Sequence, residues 1–170
     1  MARPKVALVT LVVLVGILSA VVAATYPMLP DRVASHFSAA GKPDGWVSRP
    51  AYAASLLTGA VAMAVVSAGP LYLARFLSDS LINIPHRDYW LAPERRHEAH
   101  DRLFAFGLWL ACLEVALLIG IHALIIRAHQ SRPVSLPLSD GVGLLAAFLI
   151  GVGGLCYMLC VRFWRVEPEG

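Results

Sequence analysis

Charge is what this sequence has least of. Asp, Glu, Lys and Arg make up 15% of its 170 residues, where a soluble domain carries about a quarter. A stable soluble core is excluded by the same numbers, because 58% of the chain is hydrophobic and that excess is gathered into long uncharged runs. Cysteine is also scarce. Cys112, Cys156 and Cys160 all fall inside apolar runs, which argues against a disulfide framework. They read as small apolar fillers, with Cys156 and Cys160 one helical turn apart as the one conceivable redox or metal pair. Basic stripes interleaved with aromatics are missing, so no nucleic-acid partner is expected at a net charge of +3. No nucleophile–base constellation or Gly-rich phosphate loop stands out, and we expect neither an enzyme nor a cofactor.

What is present is four apolar runs, 6–29, 51–74, 103–126 and 141–161. Each is about 21–24 residues, or about 31–36 Å as helix, enough to cross a hydrocarbon layer of about 30 Å. Their uniform apolarity lacks the alternation of barrel strands, and in lipid only helices otherwise satisfy the backbone. The first run exceeds the usual h-region of a cleaved signal, so it reads as a span. The expectation is an all-α integral membrane protein with four transmembrane helices in a single domain, an outer cap loop at 30–50 and an inner loop at 75–102. With the N-terminus inside, nine Lys and Arg lie on the cytoplasmic side and five outside, placing both termini in the cytoplasm. Tyr26, Trp46 and Tyr52 at one boundary and Tyr72, Trp90, Phe104, Phe163 and Trp164 at the other fit interfacial belts.

The loop 30–50, PDRVASHFSAAGKPDGWVSRP, is far longer than a connector needs. Pro30 suits the first turn of a short helix reaching about Ala39, which Gly41 would stop. Val33 and Phe37, four apart, would then share a face. KPDGW reads as a turn in which Asp44 bonds its own backbone and Gly45 takes a positive φ. His36 with Asp31 or Asp44 is a candidate ion site, imidazole and carboxylate suiting zinc-like ions. The competing reading has His36 and Asp44 fastening the loop to itself.

The stretch LPDRVASHFSAAGKPDGWVSR, directly after a first membrane helix, resembles a bacterial multi-pass membrane-protein family of unknown function. That family's domain also forms the N-terminal part of the Sdp toxin-immunity proteins. Pro30, Asp31, Arg32, His36, Phe37, Gly41, Pro43, Asp44, Gly45 and Trp46 stand at matching positions, over about residues 20 to 55. NIPHRDYWLAPERR, Asn83 to Arg96, is similar to a segment of some members. The resemblance implies a protein of the bacterial inner membrane with an outer loop used for recognition of a peptide, protein or lipid. Asp31, Arg32, His36, Phe37, Asp44 and Trp46 are its candidate recognition residues.

Two ionisable residues interrupt the third span. Glu114 lies near its middle, and His122 follows eight residues later, about 80° round and about 12 Å along the helix. A carboxylate at that depth costs at least about 2.5 kcal/mol, so it should face the bundle. Ser55, Thr58 and Ser67 are candidate partners, and Gly151, Gly153 and Gly154 offer close approach from the fourth helix. Glu114 and His122 together would line a polar track, the basis of an alternative function as a proton- or ion-coupled transporter component. Four helices would then need a homo-oligomer to enclose a path. In the inner loop, HEAHD misses zincin spacing because His100 comes one position early. His97 and Asp101 remain a candidate metal pair, with Glu98–Arg102 and His97–Asp101 otherwise solvated i,i+4 pairs on a helix begun by Pro93. Gly69-Pro70 is expected to kink the second helix.

Overall fold

The computed structural model describes residues 4–165. Four helices long and apolar enough to cross a membrane dominate it: α1 (Pro4–Thr25), α2 (Arg49–Leu73), α4 (Arg96–Gln130) and α5 (Leu138–Trp164). A single-turn helix, α3 (Arg87–Trp90), lies between α2 and α4. Each expected run coincides with one of these helices: 103–126 and 141–161 fall inside α4 and α5, while 6–29 and 51–74 run past the ends of α1 at Thr25 and α2 at Leu73. The third is extended the furthest: α4 has 35 residues, about 52 Å of helix, well beyond the span of a bilayer core.

The all-α expectation needs one correction. Residues 30–48 form no helix. They fold into an antiparallel hairpin of β1 (Arg32–Phe37) and β2 (Pro43–Ser48). Val33 and Phe37 do not share a helical face: Val33 is fully buried while Phe37 is half-buried further along β1. The β-branched and aromatic residues Val33, Val47 and Trp46 fit a pleated, half-buried ribbon better than a short helix. Gly41 does not stop a helix but makes the hairpin's turn, at φ +73. Gly41 N–H donates to the Ser38 carbonyl at 2.8 Å, and Ser38 N–H donates to the Lys42 carbonyl at 2.9 Å. A Cβ at Gly41 would also run into the Leu136 carbonyl, because Leu136 N–H donates to the Gly41 carbonyl at 2.9 Å. The turn is thus tied to the α4–α5 connection.

α4 is the hub. It packs against α1, α2 and α5, whereas α1 and α2 touch each other only slightly. The main core runs along it: Ala111, Cys112, Val115, Leu118 and Ile125 meet Ala7, Leu11, Leu18 and Val22 of α1 and Tyr52, Leu56 and Ala60 of α2. The Cys112 thiol donates to the Ala7 carbonyl at 3.6 Å, as a buried filler would, while Cys156 and Cys160 are exposed on α5. Of the three α5 glycines expected to allow close approach, Gly151 faces the Leu113 side chain; Gly153 and Gly154 face open space. α2 continues through Pro70 to Leu73.

The segment 75–102 is more than a loop. Ile82, Trp90, Leu91, Ala99, Leu103 and Phe163 make a second apolar cluster at the end of the bundle remote from the hairpin. Trp90 Nε1–H donates to the Phe163 carbonyl at 2.8 Å, binding this segment to the last turn of α5. Pro93 does not open α4. The helix starts three residues later, after a turn in which the Ala92 carbonyl accepts from both Arg95 and Arg96 at 2.9 Å.

Candidate functional site

The hairpin's chemistry comes from its irregular register. Arg32 pairs with Ser48, Val33 with Val47 and Ala34 with Trp46, but then His36 pairs with Gly45 and Phe37 with Pro43. Ser35 is therefore an extra residue on β1, and Asp44 one on β2, two bulges that compensate each other. They bring the Asp44 carboxylate onto His36 Nδ1 in direct contact. Gly45 does not take a positive φ; what it provides is room, since a Cβ there would stand 2.8 Å from the His36 Cβ. The His36–Asp44 pair faces water, with the imidazole side chain 74% exposed. Arg32 and Trp46 are exposed beside it and Phe37 is half-buried.

Asp31 goes elsewhere. Its carboxylate accepts from Arg49 Nη2 at 3.0 Å, and its carbonyl accepts from Arg49 N–H at 2.9 Å. Arg49 Nη1 also donates to the Leu29 carbonyl at 3.1 Å, with the guanidinium 5.0 Å from the centre of the Tyr26 ring. One side chain in the first turn of α2 thus holds the chain where it leaves α1. Sequence reading counted Arg49 only as a positive charge. It missed His129 altogether. His129 Nδ1–H donates to the Ile125 carbonyl at 2.9 Å, which leaves Nε2 as the acceptor for Ala34 N–H at 3.2 Å. The ring meets Trp46 edge-on at 6.3 Å. Hence β1, an edge strand, spends a backbone donor on α4.

His129 stands seven residues after His122, about 20° from the same line along α4. That spacing is the sequence signal for a shared face. His122 is fully buried. Its Nε2 lies 2.8 Å from Thr25 Oγ1 and its Nδ1 lies 3.0 Å from Tyr52 OH. Thr25 already uses its proton on the Val21 carbonyl at 2.8 Å. One assignment leaves no hydroxyl or ring nitrogen idle: Tyr52 O–H donates to Nδ1, Nε2–H donates to Thr25, and Thr25 donates to Val21. His122 therefore joins the end of α1, the start of α2 and α4 directly beneath the hairpin.

Glu114 also finds α2, but at another level. Ser67 Oγ lies 2.8 Å from each of its carboxyl oxygens. Of the expected partners, Ser67 is the one engaged; Ser55 and Thr58 bond carbonyls of their own helix, Tyr52 and Ala54, at 2.8 Å. No hydrogen bond joins Glu114 to His122 among the described residues. Each of the two is anchored separately to α2, Glu114 through Ser67 and His122 through Tyr52.

Of the ion-site candidates, His36–Asp44 and His97–Asp101 (3.6 Å) each come together as pairs. Among the described residues no group of three or more His, Cys, Asp or Glu is placed to hold a metal ion. Comparison with curated proteins and with solved structures finds no match. Residues 11–62, running from α1 through the hairpin into the first half of α2, match the model of a family described as a domain of unknown function (DUF1648), so the matched region takes in Arg49, Tyr52, Thr25 and the whole His36–Asp44 ribbon.

Proposed function

We propose that this chain is a non-enzymatic multi-pass protein of the bacterial inner membrane, with both termini in the cytoplasm, whose outward hairpin recognises a peptide or protein partner. The observation that carries this reading is the hairpin's construction. The hairpin is fixed by Arg49, His129 and Leu136, while Arg32, His36, Asp44 and Trp46 stay exposed to solvent. A ribbon fixed in this way loses little conformational freedom on binding, which favours affinity. The similarity of the same stretch to the N-terminal part of Sdp toxin-immunity proteins supports a peptide as the partner. The excess of Lys and Arg at the end remote from the hairpin supports the orientation.

Orientation is tested by thiol labelling. In a variant with all three native cysteines replaced by alanine, Ser35→Cys should react with a membrane-impermeant maleimide on intact cells. Ser80→Cys should react only after permeabilisation. The reverse pattern would overturn the topology.

Recognition is tested by growth against a panel of membrane-active peptides, at matched membrane levels. Wild type and Glu114→Gln should protect equally, and His36→Ala/Asp44→Ala should not. A wild type that protects against none of the panel, or a hairpin variant that still protects, would count against the proposal. A second reading, a proton- or ion-coupled transporter component, draws on Glu114, whose carboxyl group has a single hydroxyl partner among the described residues. Loss of protection in Glu114→Gln alone would favour it. His122 gives it less support, since both ring nitrogens are already engaged in a fully buried site.

A further inference from the structure

A two-stranded sheet has two outer edges, and here they differ. Arg49 N–H donates to the Asp31 carbonyl at 2.9 Å, so residues 31 and 49 form a hydrogen-bonded pair. Alternation along the ladder makes Val33–Val47 the next such pair. In the pairs beside it, Arg32–Ser48 and Ala34–Trp46, the backbone groups point away from the partner strand. On β1 this edge is closed where Ala34 N–H donates to His129. On β2 the same alternation turns Trp46 N–H, the Trp46 carbonyl and Ser48 N–H outward, at two residues that are exposed. No loop or side chain among the described residues hydrogen-bonds to these three groups. The two faces beside this edge are chemically unlike. Val47 packs with Val33 against the main core, so its face is apolar. Trp46 and Ser48 share the other face with Arg32, which is exposed and has no ion pair with a described residue. Lys42, in the turn, is exposed and unpaired in the same way. Two cations against the one carboxylate of Asp44, which already meets His36, leave the ribbon positive.

We propose that the outer edge of β2 takes up an acidic peptide in extended form, as a third strand of the sheet. It rests on the reading that the hairpin recognises a peptide, and adds how it does so. The peptide accepts from Trp46 N–H and Ser48 N–H and donates to the Trp46 carbonyl. Backbone pairing of this kind supplies affinity, and side chains on alternate faces supply selection. Acidic residues of the peptide lie on the face of Arg32, and apolar ones on the face of Val47. A second copy of the chain fits less well, because it would bring the same positive charge to the edge.

The test uses the full chain in nanodiscs and a short fluorescent peptide alternating glutamate and valine, with binding read by anisotropy. Two further forms are N-methylated at every second residue, one on each edge of the peptide. One form should bind about fivefold or more weakly, having lost its donor to Trp46, and the other nearly as well as the parent. Ser48 has φ −67, which proline shares, so Ser48→Pro deletes the outward N–H without bending the strand. It should bind about fivefold more weakly than Ser48→Ala, which loses the same hydroxyl but keeps the N–H. Arg32→Glu should shift preference toward a peptide alternating lysine and valine. Equal binding of the two N-methylated forms, or of Ser48→Pro and Ser48→Ala, would overturn strand addition while leaving peptide recognition in place. Wild type that binds the lysine peptide as tightly, or binds neither peptide, would overturn the acidic strand. The protection assay on His36→Ala/Asp44→Ala then decides recognition separately. A dimer that the glutamate peptide fails to break, and that Ser48→Pro dissociates, would give the edge to a second copy and overturn the proposal.

Discussion

Gly107→Leu should separate α2 from α4 and cost several kcal/mol of stability. A Cβ at Gly107 would lie 2.5 Å from the Ser67 carbonyl oxygen, 2.9 Å from the Ala68 Cα and 3.0 Å from Leu71 Cδ1. Two of those three atoms belong to the backbone of a long helix, which cannot turn aside as a side chain can. Overpacking of a filled site costs about 1–3 kcal/mol. A second loss adds to it, because Ser67 is also the residue whose hydroxyl serves Glu114. Moving α2 outward strips that hydroxyl from a half-buried carboxyl group within a membrane-crossing helix, at about 1–3 kcal/mol more. The total is about 2–6 kcal/mol, read as the midpoint of unfolding when the folded chain in mixed micelles is titrated with dodecyl sulfate. Gly107→Ala should show a smaller loss in the same direction. Leu71→Ala should not rescue either variant, since the backbone collisions remain. Gly16→Ala and Gly59→Ala, where nothing lies within 4 Å of the added carbon, should change the midpoint little or raise it slightly. Equal losses at Gly59 and Gly107 would show that helix contact is not the cause.

How much of this was legible beforehand depends on which force dominates at each place. The four spans were readable because a hydrocarbon layer leaves a polar backbone almost no option except the helix. Ser67 as partner to Glu114 was readable for a related reason: a carboxyl group in the span must turn toward whatever hydroxyl shares its depth. The hairpin was not. Val33 and Phe37 at a spacing of four look helical, and a run of six residues cannot separate period 3.6 from period 2. What decides it lies outside the run, in Arg49 just after β2 and in His129 and Leu136 from a distant part of the chain. The same holds for 75–102, whose Trp90 gains its place only when Phe163 from the far end of the sequence offers a carbonyl. The partners of His122, Thr25 and Tyr52, were not legible, because they sit at helix ends where hydroxyls look like ordinary boundary residues.

His122→Ala should be the other large loss, about 3–6 kcal/mol. Emptying a fully buried site of this size costs about 2–4 kcal/mol, and two interhelical hydrogen bonds in a membrane protein add about 1–2 together. The more searching test is an asymmetry among smaller changes. His122→Phe keeps most of the volume but removes both ring nitrogens. Tyr52 then keeps a hydroxyl with nothing to donate to, whereas Thr25 still donates to the Val21 carbonyl. Adding Tyr52→Phe to His122→Phe should therefore restore about 1 kcal/mol or more, by removing an orphaned buried donor. Adding Thr25→Val should restore nothing. Alone, Tyr52→Phe and Thr25→Val should each cost about 1 kcal/mol, since each leaves one imidazole nitrogen unpaired. If Thr25→Val rescued His122→Phe as well as Tyr52→Phe does, the proton would run the other way round the ring. The triad would still join three helices, but Tyr52 would be left with an unused proton beneath the hairpin. Because Tyr52 stands in the first turn of α2 beside Arg49, the same variants should also quicken hydrogen exchange across residues 32–48. The ribbon that presents His36 and Asp44 is only as firm as the three helix ends that His122 draws together.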